Sequence, residues 1–498
     1  MWSCVLRRAL RTELGMQYRN YERLSAMDAS QLGLERDGVH MHMGGVSIFE
    51  AEALLDERGA LDVERIERYV ASRLHRLPRY RQRLAYTPLE KHPVWIDDGS
   101  FNLKYHVRYT SLPRHGGERE LKRLTGRIIS QQLDRGKPLW EMWFVDGLPG
   151  ERVALVTKIH HCMIDGVGGA SLMTLLMRTD REAAIEPARP WVPRPTPSPG
   201  TMLRDELRRR AGLPWLAARA FAGALSRPRE TWAEARDLLA GMKESLATQL
   251  QSTVATPLNR RIGPHRRIDW ASAPLQTVRE IGKRLGGTIN DVVLAVLSGA
   301  MGRFLADEGV PLAGGHFKAL VPVNMRDPAR DGVKPGNRVA FVIAELPVTE
   351  HDPVTLFERV VEVMRALKQS RMTRGTDALV KLLDASFPSL FTPLARLGSG
   401  GDSYNLVITN VPGPQFPTYF LGAKQLETYP YSPLFASQAL TVTAFSYDGR
   451  LFWGFNSDWD ALPELHDLVV GVERELERFR EAAGVPRLVD ASAKESAA

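Results

Sequence analysis

Apolar side chains recur along this chain with two different spacings. In residues 62–77 and 118–133 they fall every three or four positions, which is the pattern of an amphipathic helix. Residues 152–161 alternate apolar and other side chains, which predicts a strand. Because both patterns occur close together, the sequence predicts a protein of the α/β (α+β) class.

The second half of the chain repeats this mixture. Helical spacing predicts helices at 277–285, 290–305, 356–367 and 463–483. Short apolar runs predict strands at 319–323, 339–344, 404–409 and 440–455. The pair Asp448-Gly449 is typical of a tight hairpin turn, so the last run is expected to fold back on itself.

A proline-rich segment separates the two halves. Six prolines lie between Pro187 and Pro199, a density that neither a helix nor a central strand tolerates. Residues 202–251 then resemble helix, with apolar side chains among arginines. They form either a connecting helix pair packed on a domain or a basic amphipathic surface on a membrane. The predicted divisions are an N-terminal extension (1–20), a first domain (21–186), a linker (187–265) and a second domain (266–498).

Composition and charge narrow the class of protein. The 498 residues are 44% hydrophobic and 25% charged, which excludes a disordered chain, a collagen and a disulfide scaffold. The two cysteines, Cys4 and Cys162, fit a reducing compartment. The net charge of +8 comes from residues 201–270 and from the first 25 residues, which favours an anionic partner such as lipid or phosphate groups. Nucleic acid is not expected, because no nucleic-acid-binding motif accompanies the basic residues.

Membrane contact is expected to be peripheral. Arg7 and Arg8 stand where a secretory signal would be apolar. Prolines interrupt the long uncharged stretches at 403–423 and 428–447, so neither resembles a membrane-spanning helix. The first twenty residues form a small basic amphipathic helix, a disordered tail, or an over-long start.

The segment with most chemistry runs from Lys158 to Gly169. A predicted strand ends in His160 and His161, and Asp165 follows within a glycine cluster that lets a substrate approach the backbone. A partly buried histidine near a carboxylate is well placed as a general base. Neighbours on a strand point to opposite faces, so only one of the two histidines can face a substrate.

Other interpretations of these residues remain open. The histidines could be purely structural, or they could bind a metal with Asp165, or His40 and His42 could supply ligands. No partner motif for a zinc site stands out. Cys162 could be a nucleophile activated by an adjacent histidine.

His160-His161-x-x-x-Asp165-Gly166 resembles the HHxxxDG signature of the coenzyme A-dependent acyltransferase superfamily. The wider sequence is similar to one branch of that superfamily, the bacterial wax ester synthase/acyl-CoA:diacylglycerol acyltransferases. The similar segments, in chain order, are Glu22–Ser30, Tyr105–Arg108, Gly116–Leu121, Pro138–Glu141, Asn290–Leu294, Pro322–Arg326 and Asn410–Pro414. Together they cover roughly residues 21–485, and the ordered set is far more specific than the signature alone.

This resemblance implies a fold and a reaction. The fold would be two chloramphenicol acetyltransferase-like domains joined by a helical linker, with a solvent tunnel between them. Acyl-CoA and an acceptor alcohol would enter from opposite sides. The resemblance also implies no metal and no bound cofactor, because acyl-CoA is a substrate.

It also implies roles for particular residues. His161 would be the general base, while His160 shapes the site. Asp165 would pair with an arginine that the sequence does not identify, and Gly166 would allow the tight turn after it.

Two further segments are implied to bind substrate. Pro138, Leu139 and Trp140 would shape the tunnel, although apolar packing before a strand explains them equally well. Asn290 and Asp291 would lie near the active site, Asn290 as an oxyanion donor. Alternatively, Thr288 or Asn290 caps the following helix and Asp291 sits in its first turn. Asn410–Pro414 is predicted as a turn lining the domain interface.

The sequence thus predicts an O-acyltransferase that moves a long-chain acyl group from acyl-CoA to a fatty alcohol, a diacylglycerol, or both. It would act in the cytoplasm, peripherally associated with the inner membrane or lipid droplets. One alternative is a condensation-type enzyme that uses another acceptor or a carrier-bound donor. Another is a non-catalytic lipid-binding scaffold. Oligomeric state cannot be predicted.

Overall fold

The computed structural model describes most of the chain. The described residues are 20–35, 38–163, 172–182, 184–226, 236, 253–312, 314–324, 339–369, 403–435 and 437–487. The helices are α1 (Ala26–Leu34), α2 (Val63–Arg73), α3 (Leu103–His106), α4 (Glu118–Ser130), α5 (Leu172–Leu176), α6 (Pro199–Ser226), α7 (Leu275–Arg284), α8 (Ile289–Asp307), α9 (Pro353–Gln369) and α10 (Leu465–Ala482). The strands are β1 (Tyr21–Arg23), β2 (His42–Glu50), β3 (Gln82–Tyr86), β4 (Pro93–Asp97), β5 (Val107–Ser111), β6 (Trp140–Leu148), β7 (Arg152–His160), β8 (Met177–Arg178), β9 (Arg266–Pro274), β10 (Lys318–Asn324), β11 (Val339–Glu345), β12 (Leu406–Pro412), β13 (Tyr419–Phe420), β14 (Ala423–Tyr431), β15 (Leu440–Tyr447) and β16 (Arg450–Asp458).

A seven-stranded sheet carries the paired histidines. Its strand order is β5-β6-β7-β2-β14-β13-β8. Strand β7 lies between β6 and β2 and pairs antiparallel with both. The predicted strand is confirmed, and its central position buries Val153 to Val156 on both faces, whereas Ile159 near its end is half-buried.

A second, six-stranded sheet has the strand order β11-β10-β12-β15-β16-β9, and all of its strands come from the second half of the chain. The hairpin between β15 and β16 turns at Asp448-Gly449, where both residues adopt positive φ, so the predicted turn is confirmed. Helix α8 packs against α9 and α10. Among the described helices, α8 alone is long and apolar enough to cross a membrane, and most of it is buried in this core.

The two sheets are not built from separate halves of the chain. Strands β13 and β14, which follow β12 in sequence, join the first sheet by pairing with β8 and β2. Trp270 on β9 stacks on Tyr429 of β14 with ring centroids 4.8 Å apart. A shared apolar core therefore joins the two sheets.

A small third sheet, in the order β1-β4-β3, supports helix α6. Met202 of α6 packs in an apolar cluster with Tyr21, Val94 and Ile96. The carboxylate of Glu206 accepts the backbone N–H groups of Leu89 and Glu90. The first part of the predicted linker helix is thus packed on a domain.

The mixed α/β class predicted from the spacing is confirmed. The helices predicted at 62–77, 118–133, 277–285, 290–305, 356–367 and 463–483 are present with shifted ends. Of the helix predicted over 202–251, residues up to 226 are helical, and most of the remainder lies outside the described residues. One local prediction is wrong. The segment predicted as a turn at Asn410–Pro414 is strand β12 as far as Pro412. It pairs in parallel with β15, which supplies partners for the backbone groups that a turn would expose.

Candidate active site

The end of strand β7 meets the start of strand β2. In the antiparallel register between them, His42 lies directly opposite His160. Their rings meet edge to face with centroids 6.3 Å apart, and His40 stacks on His42 at 5.3 Å. Three histidines from two distant segments therefore lie together where these two central strands of the sheet meet, at the end of β7 and the start of β2.

The proton position on His160 follows from its backbone contacts. Its Nδ1 accepts the backbone N–H of Cys162 at 3.1 Å. A neutral imidazole that accepts at Nδ1 carries its proton at Nε2. The backbone N–H of His160 in turn donates to the carbonyl of Leu139 at 2.9 Å.

His161 begins the short 3₁₀ turn His161–Met163 that follows the strand. Its backbone N–H donates to the carbonyl of Met41 at 2.8 Å. Burial of the ring, followed by the nearby His160, lowers the pKa of His161 from 6.5 to about 4. His161 is therefore neutral at neutral pH, which is the state that a general base requires.

Glu35 lies beside His160 and His42, at the carboxyl end of α1. Its Oε1 is 3.3 Å from His160 Nε2 and accepts the backbone N–H of Met41 at 2.9 Å. Its Oε2 accepts from Arg135 at 2.6 Å, and the Glu35 side chain is only 2% exposed. Burial raises the pKa of this carboxyl, but His160, Arg135 and the Met41 N–H together hold the pKa well below its usual range. Glu35 is thus a buried, fully ionised carboxylate.

A buried lysine lies on the same face of β7, two residues before His160. Lys158 Nζ is 3.1 Å from a carboxylate oxygen of Glu141 and donates to the carbonyls of Ile128 and Gln131. Those carbonyls belong to the carboxyl end of α4, where the helix dipole favours a positive charge. The buried charge of Lys158 is therefore compensated by a carboxylate and by helix carbonyls.

The arrangement does not activate Cys162. Its side chain is 3% exposed, and burial raises the pKa of the thiol well above its ordinary value. A reactive cysteine needs the opposite shift. Across the described residues, no group of three histidine, cysteine or acidic side chains is arranged to hold a metal ion.

The segment Pro138–Trp140 contacts the histidine pair through its backbone. Leu139 accepts from His160, as described above, and the Leu139 and Trp140 side chains are 0% and 1% exposed. The Trp140 indole stacks on His106 at 4.6 Å and donates to the carbonyl of Tyr80. Apolar packing therefore accounts for these side chains, and their contact with a substrate stays a prediction.

Thr288 is the residue that caps helix α8. It forms a capping box in which the Asp291 carboxylate accepts the Thr288 backbone N–H at 2.8 Å and the Thr288 hydroxyl donates at 2.7 Å. Asn290 is left to contact Asn410, with Nδ2 of Asn410 3.5 Å from Oδ1 of Asn290. Within the described part of the chain, no hydrogen bond or ion pair links this asparagine pair to the histidines, so the oxyanion role stays a prediction.

Two predicted residues lie outside the described part of the chain, Asp165 and Gly166. Sequence reasoning missed Glu35 and Arg135. The one available signal for Glu35 is a charged side chain placed between an apolar helix and the segment that carries His40 and His42. Nothing in the sequence pairs Glu35 with Arg135, one hundred residues away.

Comparison with known proteins identifies the family of this chain. The model of the wax ester synthase/diacylglycerol acyltransferase catalytic domain matches residues 24–293, and that of the corresponding C-terminal domain matches residues 335–480. A candidate diacylglycerol O-acyltransferase of Mycobacterium tuberculosis is 31% identical over 471 residues, which cover 93% of this chain and 91% of that protein. A second candidate from the same species is 32% identical over 478 residues, covering 93% and 97%.

Solved structures show the same fold. The wax ester synthase/diacylglycerol acyltransferase from Marinobacter aquaeolei is 26% identical, with a TM-score of 0.64 over 93% of this chain and all of that one. The first condensation domain of the CDA synthetase is 17% identical, with a TM-score of 0.54 over 94% and 97%, which shows a shared fold alone. The chain therefore belongs to the wax ester synthase/diacylglycerol acyltransferase family of acyltransferases.

Proposed function

We propose that this protein transfers a long-chain acyl group from acyl-CoA to the hydroxyl group of a fatty alcohol or a diacylglycerol. The products would be a wax ester or a triacylglycerol. The observation that carries the proposal is His161, a neutral imidazole held by its backbone at the end of a buried strand. The names of the relatives supply the acceptors, and the family supplies acyl-CoA as the donor.

The proposed reaction is direct acyl transfer. His161 accepts the proton of the acceptor hydroxyl while the oxygen attacks the thioester carbonyl carbon. The tetrahedral intermediate collapses, the carbon–sulfur bond breaks, and the imidazolium returns the proton to the sulfur of coenzyme A. No acyl-enzyme is needed, which fits a buried Cys162 thiol with a raised pKa.

Supporting roles follow the family resemblance. His160 holds the turn after it rather than exchanging the proton, because its Nδ1 is already occupied by the Cys162 N–H. Asp165 and Gly166 would shape the same turn. Asn290 remains the candidate donor to the oxyanion, beside the Asp291 that completes the cap of α8.

We further propose that the enzyme works at a lipid surface, in the cytoplasm and against the inner membrane or lipid droplets. Helix α6 supports this with three exposed apolar side chains, since Leu203, Leu207 and Trp215 are 37%, 51% and 57% exposed. Exposed arginines at 204 and 208 flank them. Exposed apolar side chains beside arginines favour the interface of an anionic membrane, where the acceptor and product would dissolve.

The direct test is release of free thiol from palmitoyl-CoA, measured separately with hexadecanol and with a diacylglycerol. Loss of a general base costs about 10²–10⁴-fold, so His161→Ala is expected to lower acceptor-dependent release by that factor. Release that is absent from the parent, or unchanged in His161→Ala, would refute the proposed mechanism. The ratio of the two acceptor rates then distinguishes wax ester synthesis from triacylglycerol synthesis.

A further inference from the structure

The two peptide N–H groups on either side of the His161 α-carbon, those of His161 and Cys162, both donate hydrogen bonds. The N–H of His161 donates to Met41, and the N–H of Cys162 donates to the ring of His160. The same two residues lie against one carboxylate oxygen, Oε1 of Glu35, which accepts the Met41 N–H at 2.9 Å and lies 3.3 Å from His160 Nε2. Glu35, Met41 and His160 are called the Glu35 clamp below.

The first arm of the Glu35 clamp runs through the backbone of Met41, using its N–H on one side and its carbonyl on the other. Glu35 Oε1 accepts the Met41 N–H at 2.9 Å, and the Met41 carbonyl accepts the His161 N–H at 2.8 Å. The carboxylate thereby fixes the segment before β2. That segment fixes the first N–H of the turn that carries His161.

The second arm passes through the imidazole of His160. Its Nδ1 accepts the Cys162 N–H at 3.1 Å, and its Nε2 lies 3.3 Å from Glu35 Oε1, close enough for electrostatic attraction but outside hydrogen-bond geometry. A carboxylate beside Nε2 favours the tautomer with the proton there, and only that neutral tautomer leaves Nδ1 free to accept. The charge on Glu35 therefore selects the ring state that holds the second N–H.

The carboxylate is itself fixed from the other side. Arg135 Nη2 and Nε lie 2.6 and 3.2 Å from Oε2, and Nη2 also donates to the carbonyl of Leu32. A charge-assisted, two-point contact of this kind sets orientation as well as energy. Since the other oxygen is occupied by Arg135, Oε1 is presented to Met41 and His160.

We propose that Glu35 is a positioning residue for the general base. It holds the backbone on both sides of His161, so that the imidazole meets the acceptor hydroxyl in one orientation. Glu35 contacts neither substrate in this role. The inference rests on the proposed function, because it assigns Glu35 to the same acyl transfer.

The kinetic test is Glu35→Gln, which keeps the shape of the side chain and removes its charge. A misplacement of about 1 Å at a reacting group costs on the order of 10²-fold, so kcat is expected to fall about 10–100-fold. The KM values for palmitoyl-CoA and hexadecanol are expected to stay within about twofold, since a positioning residue binds neither substrate.

Glu475→Gln is the matched control. Glu475 is also a buried glutamate, 1% exposed at its side chain, with Arg303 and Arg478 at 2.9 and 3.1 Å. It lies on α10, in the core of the second sheet. We expect Glu475→Gln to keep kcat within twofold of the parent value. If both variants lost kcat equally, the effect of Glu35→Gln would be general destabilisation and not loss of positioning.

Hydrogen exchange gives a readout that does not depend on activity. In the peptide 155–163, Glu35→Gln is expected to speed exchange at the His161 and Cys162 amides, whereas Glu475→Gln leaves it unchanged. A parent with no thiol release would refute the proposed function and leave this exchange result standing. Unchanged exchange, or a folded Glu35→Gln protein with the parent kcat, would overturn the clamp.

Arg135→Met covers the case in which Glu35→Gln does not fold. Arg135 is 37% exposed at its side chain, so its replacement costs less burial. It frees Oε2 and loosens the clamp without removing the carboxylate. We expect a smaller fall in kcat with the same unchanged KM, and a kcat equal to that of the parent would count against the clamp.

Discussion

At the scale of single residues, the site depends on which buried groups are charged. Glu35 is ionised because Arg135, His160 and a backbone N–H outweigh the cost of burial. His161 is neutral because burial and the neighbouring His160 oppose its protonation. The same end of the sheet therefore brings together an ionised carboxylate, Glu35, and a neutral imidazole, His161, from distant segments of the chain, and the neutral state is the one a general base needs.

The lowered pKa of His161 predicts the acid side of the pH profile. A base acts only when it is unprotonated. We therefore expect kcat/KM to stay constant as the pH is lowered past 6.5 and to fall only as the pH drops through about 4, the pKa of His161. The check is kcat/KM for palmitoyl-CoA and hexadecanol from pH 8 to 4. Each sample is returned to pH 7 to confirm that it is still folded. An acid limb centred near 6.5 would show that the His161 ring is not held in a desolvated site.

At the scale of elements, α6 has two different sides. Met202 and Glu206 fasten it to the small third sheet, and Arg209 and Arg210 pair with Glu90. Apolar side chains remain on the outer side among other arginines. The two sequence interpretations of the linker helix are therefore compatible, because packing on the domain uses one side of α6 and leaves the other side for the proposed lipid contact.

A double replacement on α6 tests the lipid contact. Leu207→Glu with Trp215→Glu is expected to weaken cosedimentation with anionic vesicles several-fold, because charge replaces exposed apolar surface at the interface. The parent is expected to prefer anionic over zwitterionic vesicles at low salt, and that preference should fade above about 0.1 M salt, where screening shortens to about 10 Å.

Val354→Glu is the control for that experiment. Val354 is as exposed as Leu203, at 37%, but lies on α9 in the second half of the chain. Its replacement is expected to leave vesicle binding unchanged. Equal binding by the parent and the α6 double variant would refute the assigned surface, as would a parent that does not discriminate between the two kinds of vesicle.

At the scale of the whole molecule, two sheets share one core. Strand β14 crosses from the second half of the sequence to pair with β2, the strand that places His42 opposite His160. The second sheet touches β14 closely at Gly454, where a Cβ atom would lie 1.6 Å from the carbonyl oxygen of Pro430. Strand β14 therefore pairs within the first sheet and also packs against the second.

Gly454→Ala is expected to destabilise the whole protein. Overpacking of a close contact costs about 1–3 kcal/mol, and here the obstructing atom is backbone that cannot rotate away. The measurement is the urea midpoint, compared with that of Gly99→Ala, whose new Cβ would meet nothing within 4 Å. Equal midpoints for the two variants would mean that the sheets are not in tight contact at this point.

The sequence alone predicted much of the local structure and singled out His161 as the candidate base. Apolar spacing is a property of consecutive residues, so it predicted helices such as α2, α4 and α7–α10 and strands such as β7, β10 and β15, but it gave no prediction for β9, β13 or β14. At Asn410–Pro412 the predicted turn is wrong, because pairing with a neighbouring strand decided the conformation. The ordered motifs predicted the family because each motif is itself a short run of residues.

Only the tertiary structure decided what surrounds that base. Glu35, Arg135 and Met41 reach the histidine pair from segments up to about 125 residues away in the chain, and their charge and proton positions depend on burial. Strand β14 joins the first sheet from beyond residue 420, which no local pattern signals. The spacing of apolar residues shows which face of an element is apolar, but it does not show which distant element packs on that face. The pKa of His161 depends on that packing, because burial lowers it.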